Sequence, residues 1–336
     1  ENIDNQEGDF FEELTFLNEM AKKLRKRRFD KGAVNFETVE VKFKLDEKGT
    51  PLGLFVKERK DIHKMIEEFM LLANRTVAEF IFDKNKGADT FVYRVHDHPD
   101  LERLETFSNF AKKFGHEIKI GEGNRISKAL NQLMDEIQGK PEQNVLEQLA
   151  IRSMAKAIYT VEPRGHFGLA FKHYTHFTSP IRRYPDMMVH RLLQHYLDEG
   201  KSPDAEAWED KCLHSSDREK RASNAERASI KYKQVEFMAL AEDKDYEGIV
   251  VGVTEWGVFV EITETKCEGM IRVQDMNDDY YEFDEKNMRL IGSKNKKMIT
   301  LGDKVNVRVV ATDIDKRTID LEFANNESND KPRKRK

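Results

Sequence analysis

Hydrophobic residues in the first 240 positions recur mostly at the three-to-four-residue spacing of an α-helix. This spacing predicts a first helix over residues 10–28. The alternation over 39–45, the apolar run at 52–56 and Gly49 between them predict a β-hairpin. Further helices are predicted over 61–82, 101–114, 126–137, 145–158, 187–197 and 217–240, and a short strand over 91–95.

The pattern changes near residue 243 to short β-type runs separated by turns. The runs are 248–253, 258–262, 269–273, 305–311 and 318–323. Five such runs are typical of a small Greek-key barrel such as an OB-fold. We therefore predict an α+β protein with a domain of mixed helices and sheet over 1–242, a five-stranded OB-type barrel over 243–324 and a disordered basic tail over 325–336.

Composition narrows the class of protein. Hydrophobic residues make up 38% of the 336 positions and charged residues 35%, and no run approaches the ~20 uncharged apolar residues of a membrane span. The two cysteines, Cys212 and Cys267, are too few for a disulfide scaffold or a cysteine-based zinc site. These features predict a cytoplasmic protein. Because Glu1 is not an initiator methionine, the chain is expected to be a fragment or a processed product.

Charge is unevenly distributed along the chain. Lysine and arginine total 57 against 62 acidic residues, for a net charge of −5, but basic residues cluster at 22–28 and in the tail. Each run alone is better explained as solvated surface than as a binding site. A nucleic acid would therefore have to bind in a local basic groove of an acidic protein.

The densest cluster of reactive side chains lies in residues 165–186, which fit neither the helical nor the strand pattern. A metal site is the first interpretation, from His166, His173, His176 and His190, but their spacing matches no helical His-Glu-x-x-His motif and no cysteine or carboxylate pair lies beside them. A nucleophilic Ser179 is the second, but this serine lacks a Gly-x-Ser-x-Gly elbow and precedes a proline.

The third interpretation is recognition of an anion. Ser179, Arg182, Arg183 and the start of the following helix offer hydroxyl, guanidinium and amide donors, which match phosphate oxygens. A buried arginine paired with Asp186 explains the same residues structurally. Spacing alone leaves these two explanations open.

Several strings resemble the ribonuclease II / ribonuclease R (RNB) exoribonuclease family, and most closely its ribonuclease R branch. The most specific is residues 176–186 with His190-Arg191, which is similar to the signature near the end of that family's catalytic domain. Other strings match in the same order: 32–36, 66–74, 93–97, 164–169 and Ala225-Glu226-Arg227. The resemblance extends over about residues 10–323.

The resemblance implies a processive, Mg²⁺-dependent exoribonuclease that degrades RNA from its 3′ end to nucleoside 5′-monophosphates. Its expected partner is single-stranded RNA or an RNA 3′ end, and it is expected to be monomeric. The family's metal-binding aspartate cluster lies upstream of the matched region, and Asp278-Asp279 is the nearest candidate here. We therefore expect the chain to be inactive alone. A non-catalytic RNA-binding module and a regulatory partner acting in trans are the alternatives.

The resemblance also implies roles for individual residues. Arg182 would contact the phosphate near the scissile bond, with Arg183 as its competitor. Glu226 would accept a hydrogen bond from a ribose hydroxyl, with Glu67 as its rival, unless Glu226 pairs with a neighbour such as Arg227 and Glu67 is only a surface charge. Phe36 would clamp the terminal bases or belong to the core. Further candidates that would line the RNA path, or merely pack, are Arg94, Tyr174, His176 and Tyr184.

The barrel resembles an S1 RNA-binding domain through the strings 248–250 and 256–260. Aromatic residues on the face of an OB-type barrel stack on bases. The expected platform consists of Trp256, Phe259 and Tyr280 or Tyr281, although any of these could fill the barrel core. Arg272 takes the place where many S1 domains carry a histidine.

Overall fold

The computed structural model describes residues 8–35, 40–57, 59–118, 121, 124–140, 142–240 and 242–324. It divides into two compact units. Unit 1 comprises 1–37, 58–138 and 146–221, and unit 2 comprises 38–57, 139–145 and 222–336. Phe36 and the predicted tail, 325–336, lie outside the described residues. The predicted domain boundary at 242/243 stays a prediction.

Helices account for most of unit 1. The α-helices of the described residues are α1 (Phe11–Asp30), α2 (Asp61–Asn85), α3 (Leu101–Lys113), α4 (Asn124–Ile137), α5 (Gln143–Ser153), α6 (Tyr184–Leu197) and α7 (Ala205–Ala239). Helix α3 begins after Asp100, whose carboxylate accepts from the amides of Glu102 and Arg103. Pro185 lies in the first turn of α6, where its missing N–H costs no helical hydrogen bond. No described helix combines the length and the apolar character that a membrane-spanning segment needs.

The strands form two hairpins, a three-stranded sheet and a barrel. Their bounds are β1 (Glu40–Leu45), β2 (Pro51–Lys57), β3 (Tyr93–Val95), β4 (Ile158–Thr160), β5 (Asp245–Val253), β6 (Gly257–Ile262), β7 (Glu268–Arg272), β8 (Tyr281–Asp284), β9 (Arg289–Gly292), β10 (Met298–Thr300), β11 (Lys304–Asp313) and β12 (Thr318–Phe323). The predicted hairpin is β1–β2, with Gly49 at φ +82° in its turn.

Two predicted helix bounds were wrong. The helix predicted over 145–158 ends at Ser153, and residues 158–160 are strand β4, which pairs antiparallel with β3. The residue types there favour a strand, because Ile158 and Thr160 are β-branched and Tyr159 is aromatic. Helix α7 begins at Ala205 rather than near 217, because tertiary packing stabilises a helical stretch whose hydrophobic pattern is weak.

A hydrophobic core joins α2, the β3–β4 hairpin, α6 and the start of α7 in unit 1. Its fully or almost fully buried members include Ala78, Phe91, Tyr93, Tyr159, Leu192, Tyr196 and Cys212. The Tyr196 hydroxyl donates to the carbonyl of Thr90 at 2.6 Å, which satisfies the buried phenol. Phe177, in the segment that precedes α6, packs against this core.

Strands β5, β6, β7, β12 and β11 close the predicted five-stranded barrel in that order. The α+β fold with a terminal barrel is therefore confirmed. Gly257 is required by close packing, because an added Cβ would lie 2.3 Å from the carbonyl oxygen of Ile271. Strands β8–β10, which follow β7 and precede β11 in sequence, form a separate three-stranded sheet. The sequence patterns did not predict this sheet.

Candidate functional site

Residues 176–186, the arginine bend, form a turn that leads into α6. The amides of Arg182 and Arg183 both donate to the carbonyl of Ser179, at 3.3 and 3.0 Å. Pro180 follows that serine and restricts the backbone of the turn. The bend therefore presents two adjacent guanidinium groups immediately before a helix N-terminus.

Asp186 stabilises the bend through two contacts of its buried carboxylate. Its side chain is fully buried, and its Oδ2 accepts from the amide of Ser179 at 2.7 Å and from Nη2 of Arg183 at 2.9 Å. A buried carboxylate without a cation is costly, so Arg183 is held in this ion pair. Arg183 is therefore the structural arginine paired with Asp186 that the sequence analysis gave as an alternative to anion recognition.

Arg182 is in a different environment. Its side chain is exposed, and within the described part of the chain it has no hydrogen-bond or ion-pair partner. A free guanidinium retains its paired donors for a phosphate group. The structure therefore separates the two neighbouring arginines into one that maintains the bend and one that is available to a ligand.

Asn74, on α2, organises the other side of the bend and was not among the predicted site residues. Its side chain is 2% exposed; Oδ1 accepts from the amides of Phe177 and Thr178 at 3.0 and 3.1 Å, and Nδ2 donates to the Tyr174 hydroxyl at 3.0 Å. All three contacts are about a hundred residues distant in sequence. In the sequence, Asn74 is marked only as a polar residue that directly follows the apolar run 69–73.

A cavity of about 290 Å³ opens beside the bend, entirely within unit 1. Arg183 and Tyr174 line one part of it, and Ile66, Glu67 and Met70 of α2 line another. Glu67 also forms an ion pair with Arg59 at the surface. The cavity thus places a cation, a carboxylate and a phenol around an apolar wall, which suits a ligand with phosphate, hydroxyl and ring groups.

Two buried histidines are neutral in this region: His176, at the start of the bend, and nearby His166. Burial, reinforced by the nearby Arg183 and Arg94 cations, lowers the pKa of His176 to about 2. Burial also lowers the pKa of His166 to about 3. His176 Nδ1 lies 2.8 Å from the Tyr159 hydroxyl, so the imidazole is part of the packing. The structure places the predicted lining residue His176 at the start of the bend, with its ring against Tyr159 and Tyr174.

Acid should therefore destabilise unit 1. Below about pH 6.5 the imidazoles of the unfolded chain bind protons, whereas those of the folded unit stay neutral. The free energy of unfolding is therefore unaffected by these histidines above that pH. It decreases as the pH falls from about 6.5 toward the folded pKa. Between pH ~7.5 and ~5 we expect a loss on the order of 2 kcal/mol for each of His166 and His176. Urea unfolding followed by circular dichroism measures it.

The variant His176→Gln isolates the effect from that of the carboxylates. It should reduce the pH dependence of the unfolding free energy, whereas His214→Gln, at an exposed position on α7, should leave it unchanged. An unaltered slope in His176→Gln would mean that this imidazole is not held neutral by the fold.

The four signature histidines do not form a metal site. In the described residues, no three or more histidine, cysteine or acidic side chains are grouped to hold a metal ion. Asp279 accepts from the amides of Lys294 and Asn295, and Asp278 accepts from the Tyr281 hydroxyl. Both aspartates therefore stabilise a loop of unit 2 through these hydrogen bonds.

The remaining predicted residues of the RNA path differ in availability. Arg94 is committed to Glu219 through two hydrogen bonds of 2.6 and 3.1 Å, so the structure favours its structural role. Tyr184, the first residue of α6, is 60% exposed. Glu226 is exposed on the part of α7 that belongs to unit 2.

The barrel exposes part of its predicted aromatic platform. Trp256 is 73% exposed and Tyr280 71%, and Phe259 is half-buried. Tyr281 is 4% exposed with its hydroxyl bonded to Asp278, so it does not belong to the platform. Arg272 donates to both carboxylate oxygens of Asp320, at 2.9 and 3.0 Å.

Comparison with known proteins identifies both parts of the chain. The RNB domain model matches residues 2–199, and the S1 RNA binding domain model matches 240–323. Together they define a protein with an RNB domain followed by an S1 RNA-binding domain. The chain belongs to the RNB family, because that match covers more than half of its length. The predicted resemblance is confirmed.

Curated relatives agree with this assignment. Ribonuclease R 1 of Lactococcus lactis subsp. lactis (strain IL1403) is 41% identical over 314 residues, which cover 91% of this chain and 37% of the relative. Ribonuclease R of Aquifex aeolicus (strain VF5) is 36% identical, with 93% of this chain and 44% of the relative covered. The chain thus spans less than half the length of these relatives.

A solved structure shows the same fold. Mycoplasma genitalium RNase R in complex with ribose methylated single-stranded RNA superposes with a TM-score of 0.88 at 24% identity. The superposition covers 96% of this chain and 52% of that protein.

Proposed function

We propose that the chain is the C-terminal part of a 3′-to-5′ exoribonuclease that hydrolyses RNA to nucleoside 5′-monophosphates in the cytoplasm. Unit 1 supplies Arg182 to the phosphate at the point of cleavage, and the barrel of unit 2 holds single-stranded RNA. The protein acts as a monomer. The observation that carries the proposal is the unpartnered, exposed guanidinium of Arg182 on a bend whose neighbouring Arg183 is tied to buried Asp186.

The different environments of Arg182 and Arg183 support a role in phosphodiester hydrolysis. Charge develops on the phosphate oxygens when a phosphodiester is attacked, and a cation already fixed in place stabilises that charge without reorganisation. Asp186, Asn74 and the Ser179 turn hold the backbone from which Arg182 projects. The cavity beside Arg183 would receive the terminal nucleotides, and the Glu67 carboxylate in its wall, which also pairs with Arg59, would accept from a ribose hydroxyl.

RNB exoribonucleases depend on a metal ion, and we propose Mg²⁺ as that ion. The described residues do not fit it, because Asp278 and Asp279 are occupied by loop hydrogen bonds. No acidic cluster elsewhere in the described residues replaces them. We therefore derive no catalytic step through the metal from this chain.

The function is tested with the complete open reading frame that contains this chain. With Mg²⁺ and a 5′-labelled single-stranded RNA, we expect progressive shortening from the 3′ end and release of nucleoside 5′-monophosphates, resolved by gel and by chromatography. Internal fragments, nucleoside 3′-monophosphates or no products at all would each contradict the proposal. The chain of 336 residues alone should bind the RNA without releasing nucleotides.

The barrel should contribute affinity through base stacking. Trp256→Ala should weaken binding of single-stranded RNA by this chain about tenfold, because a stacked base is worth about 1–3 kcal/mol. Fluorescence anisotropy of a labelled oligonucleotide measures the change, and binding should also weaken with added salt. Tyr232→Ala, at an exposed position on α7 in unit 2, is the matched control. Equal losses in both variants would argue against a specific platform.

A further inference from the structure

A second cavity of about 290 Å³ lies in unit 1 between α6 and the start of α7. It is lined by different residues of α6 from those that hold the arginine bend. The side chains of Asp186 and His190 hydrogen-bond to the backbone of Ser179 and Phe177, whereas Tyr184, Met188, Arg191 and Leu192 line this cavity. The cavity is therefore separate from the one beside Arg183, whose lining comes from α2, Tyr174 and the bend.

The floor of this cavity is apolar and its wall is aromatic. Met188 and Leu192 are each 2% exposed and belong to the core of unit 1, and Trp208 packs partly against the same core. Tyr184 is 60% exposed at the edge, so its ring is free to stack. A planar base can rest on such a surface, because every base has a π-face that stacks on an aromatic ring.

The rim of the cavity is cationic. Arg191 is exposed and has no partner among the described residues, and the Lys211 ammonium is held 4.3 Å from the centre of the Trp208 ring. This cation–π contact restricts the lysine to the rim. No carboxylate of the described residues lines the cavity, in a chain whose acidic residues outnumber its basic ones. The rim therefore favours an anion.

We propose that this cavity is a second nucleotide site, which binds a nucleoside phosphate with its base against Tyr184 and the apolar floor and its phosphate between Arg191 and Lys211. The volume lies at the lower end of the range for small-molecule sites, which suits one nucleotide. The ligand is either a released nucleoside 5′-monophosphate or one nucleotide of an RNA strand. The choice of nucleotides as ligands rests on the proposed function.

Tryptophan fluorescence tests the site directly. The chain has two tryptophans, so Trp256→Phe leaves Trp208, in the wall of the cavity, as the only one. Titration of this variant with AMP and, separately, with a short oligoadenylate should give saturable changes in Trp208 emission. The ligand that binds more tightly identifies the source of the nucleotide. Because no cleavage is measured, failure of the exoribonuclease activity does not affect the readout.

Arg191→Gln in the Trp256→Phe background should weaken binding about tenfold, since a hydrogen bond between two charged groups is stronger than one to a neutral amide. Lys220→Gln, an exposed charge change elsewhere on α7, is the matched control and should leave binding unchanged. Three results would overturn the proposal: no saturable change with either ligand, equal losses in the two variants, or displacement of AMP by inorganic phosphate at equal concentration.

Discussion

Arg182→Ala, introduced into the complete open reading frame, should lower the turnover of single-stranded RNA about 10²–10³-fold, the usual loss when one fixed charge-stabilising donor is removed. RNA affinity should change less than about threefold, because many phosphate and base contacts share the binding energy. Single-turnover cleavage under saturating enzyme measures the rate, and filter binding without metal measures the affinity. Arg182→Lys should recover only part of the rate, because an ammonium lacks the paired donors of a guanidinium.

The neighbouring position supplies the control. Arg183→Ala should cost about 3–5 kcal/mol of folding stability, because it leaves the fully buried Asp186 carboxylate without its cation. Arg182→Ala should change stability by less than about 0.5 kcal/mol, since the side chain is exposed and unpartnered in the described chain. A parallel loss of affinity and rate in Arg182→Ala would assign this residue to binding alone. Full activity would exclude it from the reaction.

Glu68→Ala should cost about 3–5 kcal/mol of stability, the second large effect we expect. Glu68 and Arg28 are 3% and 6% exposed and form an ion pair that joins α1 to α2, and a second arginine, Arg25, lies 3.9 Å from the same carboxylate. Removing the carboxylate leaves two guanidinium groups near one another with their common partner gone. Urea unfolding of this chain by circular dichroism measures the free energy of unfolding.

The preceding residue on the same helix, Glu67, provides a matched comparison. Glu67 is paired with Arg59 at the surface, where the two side chains are 33% and 47% exposed, so Arg59→Ala should cost less than about 1 kcal/mol. The double variant Arg28→Met/Glu68→Leu should recover much of the loss, because apolar side chains of similar volume can replace a buried pair. If Glu68→Ala and Arg59→Ala had equal effects, burial would not be what makes the Arg28–Glu68 pair important.

Much of the fold could be predicted from local patterns. The first helix, the β1–β2 hairpin and the barrel strands follow from periodicity and turn residues, which depend only on near neighbours in sequence. Strand β4 was missed because its three residues pair with β3, more than sixty residues earlier. The β8–β10 sheet was missed because its strands are short and interrupted by polar loops.

The candidate site was only partly predictable for the same reason. The signature located the bend and both arginines, but Arg94 and Tyr281 were chosen from residue type, and each is held by a contact within the fold. Asn74 was overlooked because its partners lie about a hundred residues away. Exposure and pairing are properties of the packed chain, and residue type at a given spacing does not determine them.

Local sequence patterns were sufficient to predict an α+β fold, a five-stranded barrel after residue 243 and a candidate site in the proline-bounded segment before α6. These features follow from periodicity and short motifs, which are local. Three-dimensional packing was needed to show that Asp186 binds Arg183 and leaves Arg182 unpartnered among the described residues, and that Glu68 rather than Glu67 is buried with an arginine. Desolvation depends on what surrounds a charge in three dimensions, so adjacent identical residues can have opposite roles.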